Sequence, residues 1–301
     1  MYKYFGFGLD ILSDIEFPEL SPASFDIPEI VIKTGEIPGI LNGKIIQSAD
    51  FTYIIRDDEL MFSVKDIANY YAGYGREIIV APVEGYAAMR SIRLFILATV
   101  MAAILLQRRL LPLHASAILA NDELILLCGD AGAGKSTTLA GLMKSGYTIF
   151  SDDIIVLQQH PDNNIVNGTA SYPMIKLWEN SLQTLDHHLF QDRSFPVRPG
   201  LNKYGIFFHE IFNRLQYPLK KILLLKIGTQ DFIQTEQLTG MQAFEQVSNQ
   251  IYRPILLQSQ LMRTMSFKII GQLLQHTDIY LISRPVRCKP EDLLSVITSF
   301  T

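Results

Sequence analysis

The run Leu124-Ile-Leu-Leu-Cys-Gly-Asp-Ala-Gly-Ala-Gly-Lys-Ser-Thr-Thr-Leu-Ala-Gly-Leu-Met143 constrains this chain more than any other. An apolar strand feeds a glycine-rich turn, the turn feeds a helix, and the turn fits G-x-x-x-x-G-K-[ST]. Gly129 and Gly134 bracket the loop and Gly132 loosens its middle, so successive backbone N–H groups can turn inward around a phosphate. A helix starting near Lys135 adds the positive end of its dipole, and the Lys135 ammonium can reach the outer phosphates. Ser136 offers a hydroxyl to Mg²⁺, a hard cation that takes oxygen ligands. The candidate ATP-binding residues are Gly129, Asp130, Ala131, Gly132, Ala133, Gly134, Lys135, Ser136 and Thr137. The competing reading is an ordinary strand-to-helix turn that happens to carry Gly-Lys-Ser.

A chain of 301 residues, 48% hydrophobic and 19% charged, is long enough to bury a real core in one large or two modest domains. A net charge of -4 gives no electrostatic case for nucleic acid or an anionic membrane as partner. Cys128 and Cys288 are too few for a disulfide framework, so a cytoplasmic location is expected, with Cys128 a small core side chain. The N-terminal residues lack the pattern of a signal peptide. Leu94 to Leu106 is the one run that suggests a membrane, but as a helix it rises only about 20 Å against a hydrocarbon core of roughly 30 Å, which favours a buried helix.

The first ninety residues read as short strands between Pro, Gly and Asp: Ile30–Thr34, Phe51–Ile55, Leu60–Val64 and Glu77–Ala81, with a hairpin turn over Arg56 to Glu59. Pro18 to Pro28 reads as a surface connection. Tyr70, Tyr71 and Tyr74 suit either a peptide-binding surface or packing within a small β layer. Further on, Asn121-Asp122 is a tight turn that makes Ala115–Leu119 and Leu124–Cys128 an antiparallel pair. His114 then lies close to the start of the loop, where it either relays a proton with a carboxylate or simply bonds the loop backbone. Ser145-Gly-Tyr147 stops the helix, and Tyr147–Phe150 is the next strand. Asp152 and Asp153 follow it. One carboxylate is needed on Mg²⁺ and the other can accept the proton of an attacking hydroxyl; consecutive residues of an extended segment point opposite ways, so the two are expected to differ in role.

His114-Ala-Ser-Ala, the glycine loop, Lys144-Ser-Gly-Tyr and Ser151-Asp-Asp together resemble the HPr kinase-like proteins, serine kinases with a phosphoenolpyruvate-carboxykinase-like core. The likeness is specific over His114 to Leu157 and looser around Trp178, Arg198-Pro-Gly-Leu201 and Tyr252-Arg-Pro254. It implies that Lys135 and Ser136 bind nucleotide phosphates and Mg²⁺, that Asp152 is the base, that Asp153 is a metal or outer carboxylate, and that His114 partners the acids. Two features depart from the family's namesake: Thr137 stands where it has Glu, and no Leu-Glu-Ile-Arg-Gly-Leu-Gly-Ile follows the acid pair. The length and the Leu-Pro-Leu-His-Ala-Ser-Ala segment look more like the branch found beside lasso-peptide biosynthesis, which phosphorylates the C-terminal serine of a precursor peptide.

Beyond the acids, Tyr172 to Trp178 reads as a strand edge, and His187-His188 as solvated residues in preference to metal ligands. Arg193, Arg198 and Lys203 lie in a segment that reads as a loop closing over phosphates or meeting the peptide, with plain surface charge nearly as good a reading. Lys221–Ile227 is a buried strand, Thr239 with Gln242 a capping box, and Ile255–Leu274 a helix. Arg253, at the entrance of that helix, either stabilises charge on the γ-phosphoryl group or makes a structural ion pair. A last strand over Ile279–Ser283 and a last helix over Glu291–Phe300 close the chain.

The expected protein is α/β, with a smaller β-rich domain over residues 1–90 and a phosphate-loop catalytic domain, of the HPr kinase C-terminal type by resemblance, over 91–301. Its expected activity is Mg²⁺-dependent transfer of the γ-phosphoryl group of ATP to a serine of a peptide or protein, such as a lasso precursor peptide. The alternatives are HPr itself or a small molecule as acceptor, and a nucleotide-gated binding protein that hydrolyses ATP slowly. Neither nucleic acid nor a membrane is an expected partner, and a homo-oligomer stays open.

Overall fold

The computed structural model describes residues 1–39, 42–85, 88–130, 132–161, 163–179, 194–196 and 202–301. Its contacts divide the chain into two units, Met1–Pro112 with Tyr252–Phe267, and Leu113–Ile251 with Lys268–Thr301.

The first unit is built on one sheet. Strands β1 (Tyr2–Gly6), β2 (Leu9–Ser13), β3 (Ser21–Pro22), β4 (Ile30–Thr34), β5 (Lys44–Gln47), β6 (Phe51–Ile55), β7 (Glu59–Val64), β8 (Ala68–Gly73) and β9 (Glu77–Pro82) lie in the order β3-β1-β2-β4-β9-β8-β7-β6-β5. The β6–β7 hairpin turns at Arg56 to Glu59 as expected, with Arg56 N–H donating to the Glu59 carbonyl. Helix α1 (Met89–Gln107), whose Ile96–Val100 stretch is π-helical, packs on β7 and β8. Phe62 anchors that contact, stacking on Tyr53 at 4.8 Å and on Tyr70 at 5.7 Å and meeting Phe95 edge-on at 5.9 Å. Tyr70 and Tyr71 are therefore core residues, whereas Tyr74 is exposed. The segment 18–28 does more than connect, since it contributes β3 and the buried Leu20.

Two expectations change here. The apolar run is part of a 19-residue helix, long and apolar enough to cross a membrane, so the length argument fails; it is burial, 78% of the apolar window, that accounts for its composition. Because α1 buries its apolar surface on the first sheet, it belongs with the β-rich unit, and the division falls at Pro112 instead of residue 90.

The chain passes between units at β10 (Leu111–Leu113). The second unit begins with β11 (Ala115–Ala120) and β12 (Glu123–Gly129), paired antiparallel from Ala115↔Cys128 to Ala120↔Glu123. Asn121 and Asp122 both take positive φ, 52° and 60°, the geometry of the two-residue hairpin turn. After the glycine loop comes α2 (Lys135–Lys144). It stops as expected: Gly146 takes φ 89° and Tyr147 N–H reaches back to the Leu142 carbonyl. Strands β13 (Thr148–Ser151), β14 (Ile155–Gln159), β15 (Val166–Ala170), β16 (Met174–Trp178), β17 (Ser194–Pro196), β18 (Lys203–Phe207), β19 (Gln216–Ile227) and β20 (Gln234–Leu238) follow, then α3 (Gly240–Ser248), α4 (Gln260–His276), β21 (Asp278–Arg284) and α5 (Pro290–Thr298). Thr239 precedes α3 as its cap residue, but its side chain makes no capping hydrogen bond, so the expected capping box does not form. The helix expected from Ile255 begins only at Gln260, after a 3₁₀ turn at Pro254–Leu256.

The larger sheet of this unit runs β14-β15-β19-β12-β11-β13, with β21 beside β19 and β20 beside β21; β16, β18 and β17 form a small separate sheet. β12, β19 and β21 are parallel, and β11 is antiparallel to both of its neighbours. Leu139, Ala140 and Leu142 of α2, Leu293 and Ile297 of α5, and the inward faces of β11, β12, β19 and β16 form one core. Each leucine buried there contributes roughly 1.5–3 kcal/mol.

Candidate functional site

Sheet order assembles the site. β13 does not lie next to β12; antiparallel β11 separates them, so β12 and β13 run the same way and their C-terminal ends fall on one edge. The N-terminal end of β11 falls on that edge too, with Ala115 opposite Cys128 and Ala117 opposite Ser151. His114 and Ser116 are thereby inserted between the glycine loop and the acid pair.

The loop has the conformation its glycines predict. Gly129, Gly132 and Gly134 take φ of 138°, 83° and 113°, and a Cβ on Gly129 would run into the Leu225 carbonyl. Gly129 N–H donates to Gln250 Oε1 at 3.1 Å. The Arg284 guanidinium donates to the Ala133 and Gly132 carbonyls at 2.9 Å each. Lys135 is only 7% exposed, and its Nζ donates to the Gly129 carbonyl and, at 3.4 Å, to that of Asp130. Burial lowers its pKa, against the opposing influence of Cys128 and the two acids. The Cys128 thiol beneath it is pushed up by burial to about 12, as expected of an inert core cysteine. Ala131 lies outside the described residues, as do His187, His188, Arg193 and Arg198.

Asp152, 2% exposed, accepts hydrogen bonds through both oxygens. Oδ1 receives the Ser116 hydroxyl at 2.6 Å and that of Ser136 at 3.4 Å, while Oδ2 receives the Lys176 backbone N–H at 2.9 Å. Asp153 instead pairs with Lys176 Nζ at 2.6 Å and lies 3.5 Å from His114 Nδ1. Burial would raise its pKa, but Lys176 and then His114 override that and hold the carboxyl well below the usual carboxylate range. The two acids differ in their partners, though not by strand alternation. Asp153 has φ 73°, so the chain has left the extended conformation and both carboxylates line one pocket.

His114 is kept below its ordinary pKa by burial, partly offset by Asp153. Its Nδ1 is 2.9 Å from the Asp153 carbonyl, an acceptor, so the neutral ring carries its proton on Nδ1 and its lone pair on Nε2. The pocket is also lined by Asp130, Gly132, Gly134, Lys135, Ser136, Thr137, Trp178 and Lys203. Arg253 is in the first unit, in the left-handed region at φ 56°, with its guanidinium 5.3 Å over the Tyr252 ring; it is not among the lining residues.

Four contributors escaped the sequence reading. Ser116 could have been found, since it stands two places after His114 on the same face of a strand. Lys176 carried a signal as well, as a lysine inside an apolar strand. Gln250 and Arg284 had none, because only the fold brings them to the loop.

Ser136 and Asp152 present a hydroxyl and a carboxylate to one spot beside the loop, a donor set that suits Mg²⁺, which keeps its remaining positions for water and phosphate. Among the described residues there is no cluster of three or more His, Cys, Asp or Glu that could hold a metal by itself.

No family model matches the chain, and no curated protein matches it. Among solved structures it is similar to the HPr(Ser) kinase/phosphatase from Coxiella burnetii, at 13% identity and a TM-score of 0.31, over 63% of this chain and 89% of that one. The likeness is distant.

Proposed function

We propose that the second unit is an ATP-dependent kinase that phosphorylates a serine hydroxyl. One observation carries this reading: the Asp152 carboxylate stands 3.4 Å from the Ser136 hydroxyl, in the pocket that also holds the glycine loop and Lys135. The loop amides, the α2 N-terminus and Lys135 bind the phosphates. Ser136 and Asp152 would hold Mg²⁺, which when bound offsets charge on the phosphoryl oxygens.

The serine oxygen forms a bond to the γ-phosphorus as the bond to the β-phosphate bridging oxygen breaks; ADP leaves, and the serine proton goes to a protein base. The resemblance gave the base role to Asp152 and the metal role to Asp153. The contacts favour a different allotment. Asp152 is beside Ser136, Asp153 is bound to Lys176, and the neutral His114 has its lone pair on Nε2, so His114 takes the proton and Asp153 orients its ring.

The acceptor is proposed to be a peptide or protein serine, with the C-terminal serine of a lasso precursor peptide first in line; its support is the likeness of the motif residues. Incubation with ATP, Mg²⁺ and a panel of serine-ending peptides, HPr and free serine, read by intact mass, tests it. A phosphorylated peptide is the expected product. Phosphate release at one slow rate with or without every acceptor would instead show a nucleotide-gated binding protein. If His114→Gln keeps the full rate and pH profile while Asp152→Asn binds Mg²⁺ and ATP like the wild type, the base is Asp152.

A further inference from the structure

In the sequence Lys203 belongs to a segment that could close over phosphates, with no partner named, and Trp178 ends a strand in the looser part of the resemblance. The structure pairs them. β16 and β18 are antiparallel with Trp178 directly opposite Lys203, so both side chains stand on one face of the small sheet. Lys203 Nζ lies over the indole, 5.7 Å from the ring centroid. Trp178 is 47% exposed, unusual for a tryptophan, and both residues line the pocket of Lys135, Ser136 and the acid pair.

Lys203 is also felt electrostatically inside that pocket. It helps depress the pKa of Lys135, the effect of one ammonium on another, and helps hold Asp153 ionised. The Lys176 ammonium is held by the Asp153 carboxylate at 2.6 Å, whereas the Lys203 ammonium contacts an aromatic face. A cation–π contact at an exposed site is weak, so an anion can draw the ammonium away from it. Mutually repelling ammonium groups directed at one space are stabilised together when a polyanion lies between them.

We infer that Lys203 is a second phosphate-binding cation of the site, parked on Trp178 and drawn from it onto the outer phosphates of the bound nucleotide. The inference rests on the nucleotide site proposed above and adds to it a residue that moves. In the transfer reaction Lys203 stabilises charge on the γ-phosphoryl oxygens, the part the sequence had offered to Arg253.

Trp178 is the chain's single tryptophan, so tryptophan emission reports on this one side chain. The intact protein is titrated with ATP, with tripolyphosphate and with adenosine, each in the presence of Mg²⁺, and followed by tryptophan emission and by calorimetry. ATP and tripolyphosphate are both expected to shift the emission, and adenosine is not. Lys203→Met, which keeps the packing on the ring and removes the charge, is expected to bind tripolyphosphate about tenfold more weakly and to lose the emission change, with Lys203→Arg restoring both. Calorimetric binding of ATP with unchanged emission, or equal affinity in Lys203→Met, overturns the inference and leaves the kinase reading standing. A shift with adenosine but not with tripolyphosphate overturns it too, and assigns Trp178 to base stacking. If neither ATP nor tripolyphosphate binds, the phosphate site itself is wrong and both readings fall.

Discussion

Both units bury carboxylates, and they satisfy them in different ways. In the first unit Glu59 accepts the Tyr71 hydroxyl at 2.9 Å and a guanidinium N–H of Arg56 at 2.9 Å, and Glu19 takes Arg93 Nε through both oxygens at 3.1 and 3.0 Å. Each charge there meets a cation within its own packing. In the second unit Asp153 meets a cation in the same way, but Asp152 beside it receives two hydroxyls and a main-chain N–H, all uncharged donors. A buried carboxylate whose hydrogen bonds all come from uncharged donors has no cation bonded to it and can take an incoming one; one closed by a guanidinium cannot. The contrast, more than burial as such, separates a structural acid from one fit for chemistry.

The largest effect that would break this contrast is on Asp152. Asp152→Asn should slow phosphoryl transfer by about a thousandfold, since the lost charge is the one that would hold the metal. Glu59→Gln should leave the transfer rate unchanged and cost about 1–3 kcal/mol of stability through its hydrogen bonds to Tyr71 and Arg56. Rates measured beside denaturant midpoints check both; equal rate losses would erase the distinction.

Next in size is Lys176→Met, expected to cost about 3–5 kcal/mol at neutral pH because it leaves Asp153 buried without its ammonium. The sign of its pH dependence follows from the lowered pKa of Asp153. The stabilisation is present above the ordinary carboxylate pKa and is lost only as pH falls through the folded-state value, below the usual range. The gap between wild type and Lys176→Met should therefore be full at neutral pH and narrow through the acid range in urea titrations. A gap independent of pH would show that Lys176 acts by packing.

How much of this was legible follows the range of the interactions. The glycine loop, the β11–β12 hairpin and the stop at Gly146 depend on neighbours in sequence, so residue type alone fixed them. The partition of Asp152 from Asp153 was expected for the wrong reason. Strand alternation does not operate at a residue with φ 73°, and what divides the acids is the arrival of Lys176 and Ser116 from other strands. α1 was misplaced because its composition says that it is buried but not on which sheet. Thr239 begins a helix without capping it, which shows that a capping pattern marks a boundary without guaranteeing the bond.

The smallest expected effect concerns Arg284, the residue least accessible to sequence. Its guanidinium fixes the Gly132 and Ala133 carbonyls, and in a trans peptide plane a fixed oxygen also fixes the opposite direction of the next residue's N–H. The arginine touches no phosphate in this scheme; it sets the direction of the amides that do. Arg284→Gln removes the fork but leaves a donor, and should weaken tripolyphosphate binding by about three- to tenfold, the range for one charge-assisted contact made indirectly. Arg284→Lys should recover only part of this, because a single ammonium cannot serve two carbonyls with fixed geometry. If the same substitutions lowered stability without changing affinity, Arg284 would belong with Arg56 and Arg93, as a cation that closes its own packing and nothing more.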